Sequence, residues 1–420
     1  MSGWVRACQV LGPFLLILSS FSPVALGEGQ IRVLAIGQVL PGESPVPFWF
    51  DSDPLVEYVL VPTDVDRYGG FGMTSFRRFV RIYFPRTRDE LVEGFDFSVF
   101  PDGNLDPFVP SQIADIKYAM ERGMGGLVTM GGDLSSPSGS AYAGWANSVL
   151  REVLPVELND KMKQDGSLFS IRVVKDEPPV LSMFVPLGIE DFKGASAFTL
   201  LTTRIGATVW GHLKSAPKGL TPTESDWLVS WRVGSTGGIF WALADDLDSS
   251  WWSPIIHPLQ FENLYAGDVF INILLHSVGA PLPEDVFELH DLRSLYSEYN
   301  VKRSLLIGLL EFADGFGANT RDAYAQMAEI DELRGGSLEE YRSYNYAIAR
   351  EIMDSTISEL ADLEGEAMDL KDRALMWVYV TQWVVVTGTS LACGFAVWTL
   401  MIRRRLYREV GTSRLVLRSG

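Results

Sequence analysis

Between Ala374 and Ile402 the chain carries no charged residue, and Arg403, Arg404 and Arg405 follow at once. A run this long satisfies its backbone in lipid only as a helix, and it spans a hydrocarbon core with some tilt. Gln382 is its one strongly polar side chain. Trp377, Tyr379 and Trp383 lie toward one end and Trp398 toward the other, where interfacial aromatics belong. The arginines put the end that carries them on the cytoplasmic side. The alternative is a buried core helix, which so long an uncharged run closed by three arginines disfavours. The expectation is a single transmembrane helix over 374–402 with a basic cytoplasmic tail over 403–420.

The other end of the chain agrees with export. Arg6 precedes an apolar stretch from Val10 to Phe21, broken by Pro13, and Ala25-Leu26-Gly27 offers small residues for cleavage. This reads as a signal peptide over 1–27, with an uncleaved N-terminal anchor as the alternative. The tail holds six arginines and one glutamate and the leader a single arginine, so the region between them carries −24 against −18 for the whole chain. So acidic a body repels nucleic acid and anionic headgroups, and no nucleic-acid partner is expected. Both cysteines, Cys8 and Cys393, fall in the two apolar segments. Disulfides, thiolate metal sites and a cysteine nucleophile are therefore excluded from the ectodomain. Its core, rich in Trp, Phe and Leu, must hold it together.

Along the chain, Ile31 to Val39 reads as a buried strand, and a Pro/Gly-rich loop follows. Asp53 to Val61 reads as a helix running into a strand. Thr87 with Glu90 caps a short helix, Phe95 to Phe100 is a strand, and Pro101 to Asn104 turns it. Pro110 to Gly123 is a helix with a glycine cap. Leu127 to Met130 is the next strand, leaving sharply at Gly131-Gly132-Asp133. The alternation predicts a mainly parallel sheet with helices on both faces. Further strands are expected at 168–174, 207–213, 227–233 and 238–243, then a helix at 266–277. Pro281 and Pro283 close an α/β ectodomain over 28–280.

A helical stalk is expected over 281–373. Phe287 to Phe312 has helical apolar spacing. Gly335-Gly336 predicts a break, and Ser337 with Glu340 a capping box that opens a new helix. From Leu338 through Tyr341, Asn345, Ile348, Ile352, Thr356, Leu360, Leu363 and Ala367 to Leu370, a near-heptad coiled-coil stripe runs with a local slip. It pairs either with another chain, giving a homo-oligomer or a protein partner, or with the first stalk helix as a hairpin.

Several segments together are similar to a known family. FPRTRDELVEGFDFSVFPDGN, then GMGGLVTMGGDLSSPSGSAYAGWANSVLREVLPVEL, then WLVSWRVGSTGGIFWALADDLDSSWW resemble, in that order, the putative glutamine amidotransferase-like family of the class I amidotransferase superfamily. The resemblance covers roughly Gln30 to Gly279. It implies a flavodoxin-like three-layer α/β sandwich and says little about the stalk. It does not carry the chemistry. The family's turn needs a cysteine, and Met130-Gly131-Gly132-Asp133 has none. Nor does any of His212, His257, His276 and His290 stand in a His-x-Glu pair. Ser135, Ser136 and Ser138 lie in the following loop without a G-x-S-x-G elbow. A pseudoenzyme without glutaminase activity is expected.

Ligands of open α/β sheets bind beyond the carboxyl ends of the strands. That places Asp102, Gly103 and Asn104, then Gly131, Gly132 and Asp133, then Asp245 and Asp246, at any binding site. Turns use these residue types on structural grounds as well. Trp251-Trp252 reads as a core or rim pair. No phosphate loop, zinc spacing, EF-hand or dinucleotide fingerprint occurs, so no metal and no cofactor are expected. Two functions fit: a non-catalytic, membrane-anchored extracytoplasmic binding or scaffold protein, and an extracytoplasmic hydrolase of a sugar or peptide. Carboxylates converging above Gly131, one with a strongly raised pKa, would favour the hydrolase.

Overall fold

The computed structural model describes residues 30–40, 44–64, 72–158, 164–165, 168–195, 197–215, 223–248, 251–252 and 263–416. The expected signal segment and His257 lie outside them. The chain divides into two compact units, residues 1–294 with 340–347, and residues 295–339 with 348–420.

The first unit is a mixed α/β body. Strand β1 (Ile31–Gly37) is followed by α1 (Val46–Ser52), β2 (Val56–Pro62), α2 (Met73–Tyr83), α3 (Arg88–Gly94), β3 (Phe97–Phe100), α4 (Pro110–Glu121), β4 (Gly125–Thr129) and α5 (Ser140–Ala146). Then come β5 (Gln164–Asp165), β6 (Leu168–Val173), β7 (Gly194–Ala195), β8 (Phe198–Thr199), β9 (Thr208–Ser215), β10 (Thr223–Arg232), β11 (Ile239–Leu243) and α6 (Ala266–Val278). Nine of these strands form one sheet in the order β2-β1-β3-β4-β11-β10-β9-β6-β7.

Pairing from β2 through β11 is parallel, and from β11 through β7 antiparallel. The expectation of a mainly parallel sheet therefore holds for its first half alone. The helical crossovers that force parallel pairing stop after β4. Beyond it, Gly234 (φ +64) and its neighbours turn β10 directly back into β11, and such short connections permit only antiparallel neighbours. The helix expected from Asp53 lies instead at Val46–Ser52, beginning at the end of the proline-rich stretch. Pro47 at its start costs nothing, because the first N–H groups of a helix have no internal partner. The expected cap at Thr87 is present, its Oγ1 accepting from Glu90 N at 3.1 Å.

β3 and β4, central in the parallel half, are buried along their whole length. Such two-face burial is what puts uniformly apolar runs at the centre of a parallel sheet. Their carboxyl ends, with that of β11, bring the Asp102, Gly131 and Asp245 turns to one edge of the sheet.

The second unit is helical, built from α7 (Val286–Gly315) beyond Ser294, α8 (Arg321–Arg342) up to Glu339, and α9 (Tyr346–Val416) from Ile348 on. The expected break at Gly335-Gly336 is absent, since α8 runs through it. Ser337 is not a cap. It is buried in the helix, accepts from Tyr296 Oη at 2.6 Å and donates to Ala349 O at 2.8 Å. The chain turns at 343–345 instead, where Tyr344 takes φ +62. Because α9 starts only at Tyr346, the buried stripe is Ala349, Met353, Thr356, Leu360, Leu363, Ala367 and Ala374. The stripe read from sequence matches at Tyr341, Thr356, Leu360, Leu363 and Ala367, and is one residue out of phase at Ile348 and Ile352, where Ala349 and Met353 are buried instead and Ile348 is 50% exposed. These spacings of four and three bury the seam within a single chain. Arg303 clasps Asp331 through two 2.8 Å bonds, Tyr299 donates to the same carboxylate, and Arg334 lies over the Tyr299 ring.

Among the described residues, α9 is the one helix long and apolar enough to cross a membrane, and none of its apolar stretch is buried.

Candidate functional site

β3 ends at Phe100, and the turn after it holds Asp102 with φ +44, a left-handed conformation that aspartate tolerates better than most residues. Two bonds fix it there. Asp102 N donates to Thr129 Oγ1 at 2.9 Å, and Asp102 Oδ1 accepts from Asp133 N at 3.0 Å. β4 leads into Gly131 and Gly132, and β11 into Asp245 and Asp246. The three turns meet. A methyl group on Gly132, whose φ is +51, would overlap Asp102 Oδ1 and lie 2.7 Å from both Asp102 Oδ2 and Asp246 Oδ2. Glycine is thus required here for both conformation and space.

Asp102 and Asp246, each 3% exposed, are hydrogen bonded to each other. Burial pushes the Asp102 carboxyl up to about 7, the bond from Asp246 opposing the rise. Asp246 is raised further, first by burial and then by the charges of Asp102 and Asp248. Two carboxylates this close and this dry cannot both ionise, so Asp246 keeps the proton and donates it to Asp102. Asp246 Oδ1 is buried with no hydrogen-bond partner among the described residues.

The other residues of the expected site do different work. Asp245 is fully buried and turned away from the pair. Its Oδ1 accepts from Trp227 Nε1 at 3.0 Å and its Oδ2 from Trp252 Nε1 at 3.1 Å. The carboxylate thereby satisfies two indole N–H groups that the core would otherwise leave orphaned. Trp251 and Trp252 are accordingly core residues, packed edge-to-face at 4.6 Å. Asn104 closes its own turn, Oδ1 accepting from Asp106 N at 2.9 Å. Gly103 O accepts from Trp145 Nε1 at 2.7 Å. The expected set therefore splits into a convergent group (Asp102, Gly132, Asp133, Asp246) and a structural one (Asn104, Gly131, Asp245). Sequence inspection missed Thr129 and Thr199. The Thr199 hydroxyl donates to Met130 O, and its strand, β8, brings Ala197 against Gly132. A two-residue strand far along the chain gives no sequence signal of that approach.

The backbone donors at the turn are all used. Gly131 N donates to Asp245 O at 3.2 Å, Gly132 N to Ala197 O at 3.3 Å, Asp133 N to Asp102 Oδ1, and Leu134 N to Gly131 O at 3.2 Å. An oxyanion would have to displace one of these acceptors.

No family model matches the chain, and no curated protein matches it. Among solved structures it is similar to Gan42B, a GH42 beta-galactosidase, at 13% identity and a TM-score of 0.32, over 60% of this chain and 30% of that one. It is also similar to the mmIFT52 N-terminal domain at 12% identity and a TM-score of 0.30, over 51% of this chain and 93% of that one. The chain thus spans under a third of the galactosidase's length. Neither likeness places a residue.

The described histidines stand apart from the carboxyl pair. His212, on β9, bonds Asp226 at 3.1 Å. His276 packs edge-on against both the Trp210 and Trp241 rings, and burial pushes it below its ordinary value, helped by Arg232 and Lys175.

Proposed function

We propose that this chain is a non-catalytic, membrane-anchored scaffold or binding protein built on an amidotransferase-like, flavodoxin-type α/β domain. The α/β domain stands outside the cytoplasm, residues 374–402 cross the membrane, and the arginine-rich tail lies inside. The observation that carries the non-catalytic part is the closed turn after β4. It has no thiol, and Gly131, Gly132 and Asp133 direct their N–H groups at internal acceptors. The run of parallel strands β2-β1-β3-β4-β11, with the sharp glycine exit after β4, supports the family resemblance. The exposed apolar length of α9, followed by Arg403, Arg404 and Arg405, supports the anchor and its orientation. The intact protein in detergent, supplied with glutamine, should release no ammonia above a blank, and sustained catalytic release would sink the proposal. In sealed cells, external protease should remove the α/β domain and spare an epitope placed after Gly420. Loss of the epitope reverses the orientation.

One observation favours a second reading, a hydrolase of a sugar or peptide. Asp102 titrates near 7 beside a protonated partner, a pairing suited to general acid–base work. Turnover of a glycoside or peptide that disappears in Asp102→Asn would establish it. Burial of both carboxyls weighs the other way.

A further inference from the structure

Apart from the carboxyl pair, the described residues of the first unit hold a buried charged cluster around Arg293. Asp53, just after α1, directs Oδ1 at Leu55 N at 2.9 Å. Its Oδ2 accepts from Arg293 Nε at 2.7 Å and from Tyr341 Oη at 3.1 Å. Arg293 also donates through Nη1 to Asp268 Oδ1, in the first turn of α6, at 2.5 Å. Asp268 Oδ2 lies 2.7 Å from His290 Nδ1. The side chains of Arg293, Asp53 and Asp268 are 6%, 0% and 5% exposed, and His290 is the one that reaches solvent, at 27%.

The charge count decides how this cluster behaves. One guanidinium faces two carboxylates, which leaves one uncompensated negative charge in a dry site, and such a charge is costly. A proton on His290 makes the set neutral. The groups that face His290 are Asp268 from α6, the Tyr265 ring 5.0 Å away just before α6, and Asp291 and Arg293 on its own helix. The bond to Asp268 raises His290 above the ordinary histidine value against burial, with Asp291 assisting and Arg293 opposing. Burial works to raise Asp268, but His290 and Arg293 outweigh it and hold Asp268 below the usual carboxylate range. Mild acid therefore leaves Asp268 ionised.

The positions matter as much as the charges. Arg293 and His290 lie in the last stretch of chain before it leaves the α/β unit after Ser294, and Tyr341 in the short stretch, 340–347, that returns to it. One carboxylate oxygen of Asp53 grips both. We infer that Asp53, Asp268, Arg293 and His290 form a proton-gated latch that fastens residues 286–294 and 340–347 to the α/β unit. The latch is closed with His290 protonated and loosened when that proton leaves. The sign follows from linkage. A group whose value is raised on folding contributes fully below its unfolded value, and that contribution is lost as pH rises through the folded one. Loosening thus belongs to the neutral-to-alkaline side.

Hydrogen exchange on the full chain in detergent, corrected for the intrinsic pH dependence of exchange, tests this. Protection of peptides covering 286–294 and 340–347 should fall about tenfold more than that of β1 peptides between pH 5.5 and 8.5, the size expected for losing one charge-assisted hydrogen bond. In His290→Gln, which still donates to Asp268 but does not titrate, the differential loss should vanish. Asp53→Asn should loosen both segments at every pH. A flat wild-type profile, or a His290→Gln profile with the wild-type slope, overturns the latch. Because His290 is the exposed member, that variant keeps the test valid even if Asp53→Asn fails to fold.

Discussion

Gly132 and Asp246 show how tightly single residues set the closed turn. Gly132→Ala places a methyl group onto Asp102 and against Asp246 while demanding φ +51 of an L residue. Asp102 cannot retreat, since it is tied to Thr129 and Asp133. A loss of about 3 kcal/mol or more in unfolding free energy is expected, read as a lowered urea midpoint. Asp246→Asn is the opposite case. It keeps a donor toward Asp102 and removes the proton that must be shared. In the wild type both carboxyls are raised on folding, so their stabilisation is present in acid; the Asp102 part is lost as pH rises from about 4 through 7, and the Asp246 part as pH rises through its own raised value. The wild-type urea midpoint should fall across that interval by at least the ~1.4 kcal/mol that one pKa unit represents, and Asp246→Asn should flatten the fall. Equal slopes in the two proteins would mean that the pair does not share a proton.

Among the elements, the sequence was most legible where pattern and packing coincide. β3, β4, α4 and α6 announce themselves by apolar runs or helical spacing, and each lies within about two residues of its expected place. Glycine and proline misled. Pro47 opens α1 where a loop was expected, and Gly335-Gly336 lies inside α8 where a break was expected. Pro47 is tolerated because it stands in the first turn, whereas local propensity disfavours the two glycines by about 1 kcal/mol each, and tertiary burial of Ser337 and its neighbours outweighs that. The same misjudged break put the α9 stripe out of phase before Thr356. The turns of the candidate site could be found because strand ends supply ligands in sheets of this kind. The split between Asp246 and Asp245 could not, because it depends on which side chain meets the Trp227 and Trp252 indoles. Gly336 offers a direct test of the propensity argument. A Cβ there would meet nothing within 4 Å, and its φ is not left-handed. Gly336→Ala should therefore raise the melting temperature, by the equivalent of about 0.5–1 kcal/mol.

For the whole molecule, the controlling fact is that the apolar side chains are covered along most of the chain and bare along one stretch of α9. The α/β unit and the seam from Ala349 to Ala374 bury their apolar side chains within the chain. Beyond Ala374, Trp377, Trp383, Leu391, Phe395 and Leu400 are each more than 60% exposed, and none of the described residues covers them. At ~25 cal/mol per Å² of apolar surface, a helix of such residues standing in water is untenable, and lipid, detergent or self-association must cover it. A chain ended at Ala374 keeps the last residue of the buried seam and loses the uncovered stretch. It should stay in the aqueous phase on detergent partitioning, with the urea midpoint of its α/β unit unchanged, whereas the intact chain should partition into detergent. If the intact chain instead remains soluble and monodisperse without detergent, residues 374–402 have found a protein partner, and the membrane anchor falls.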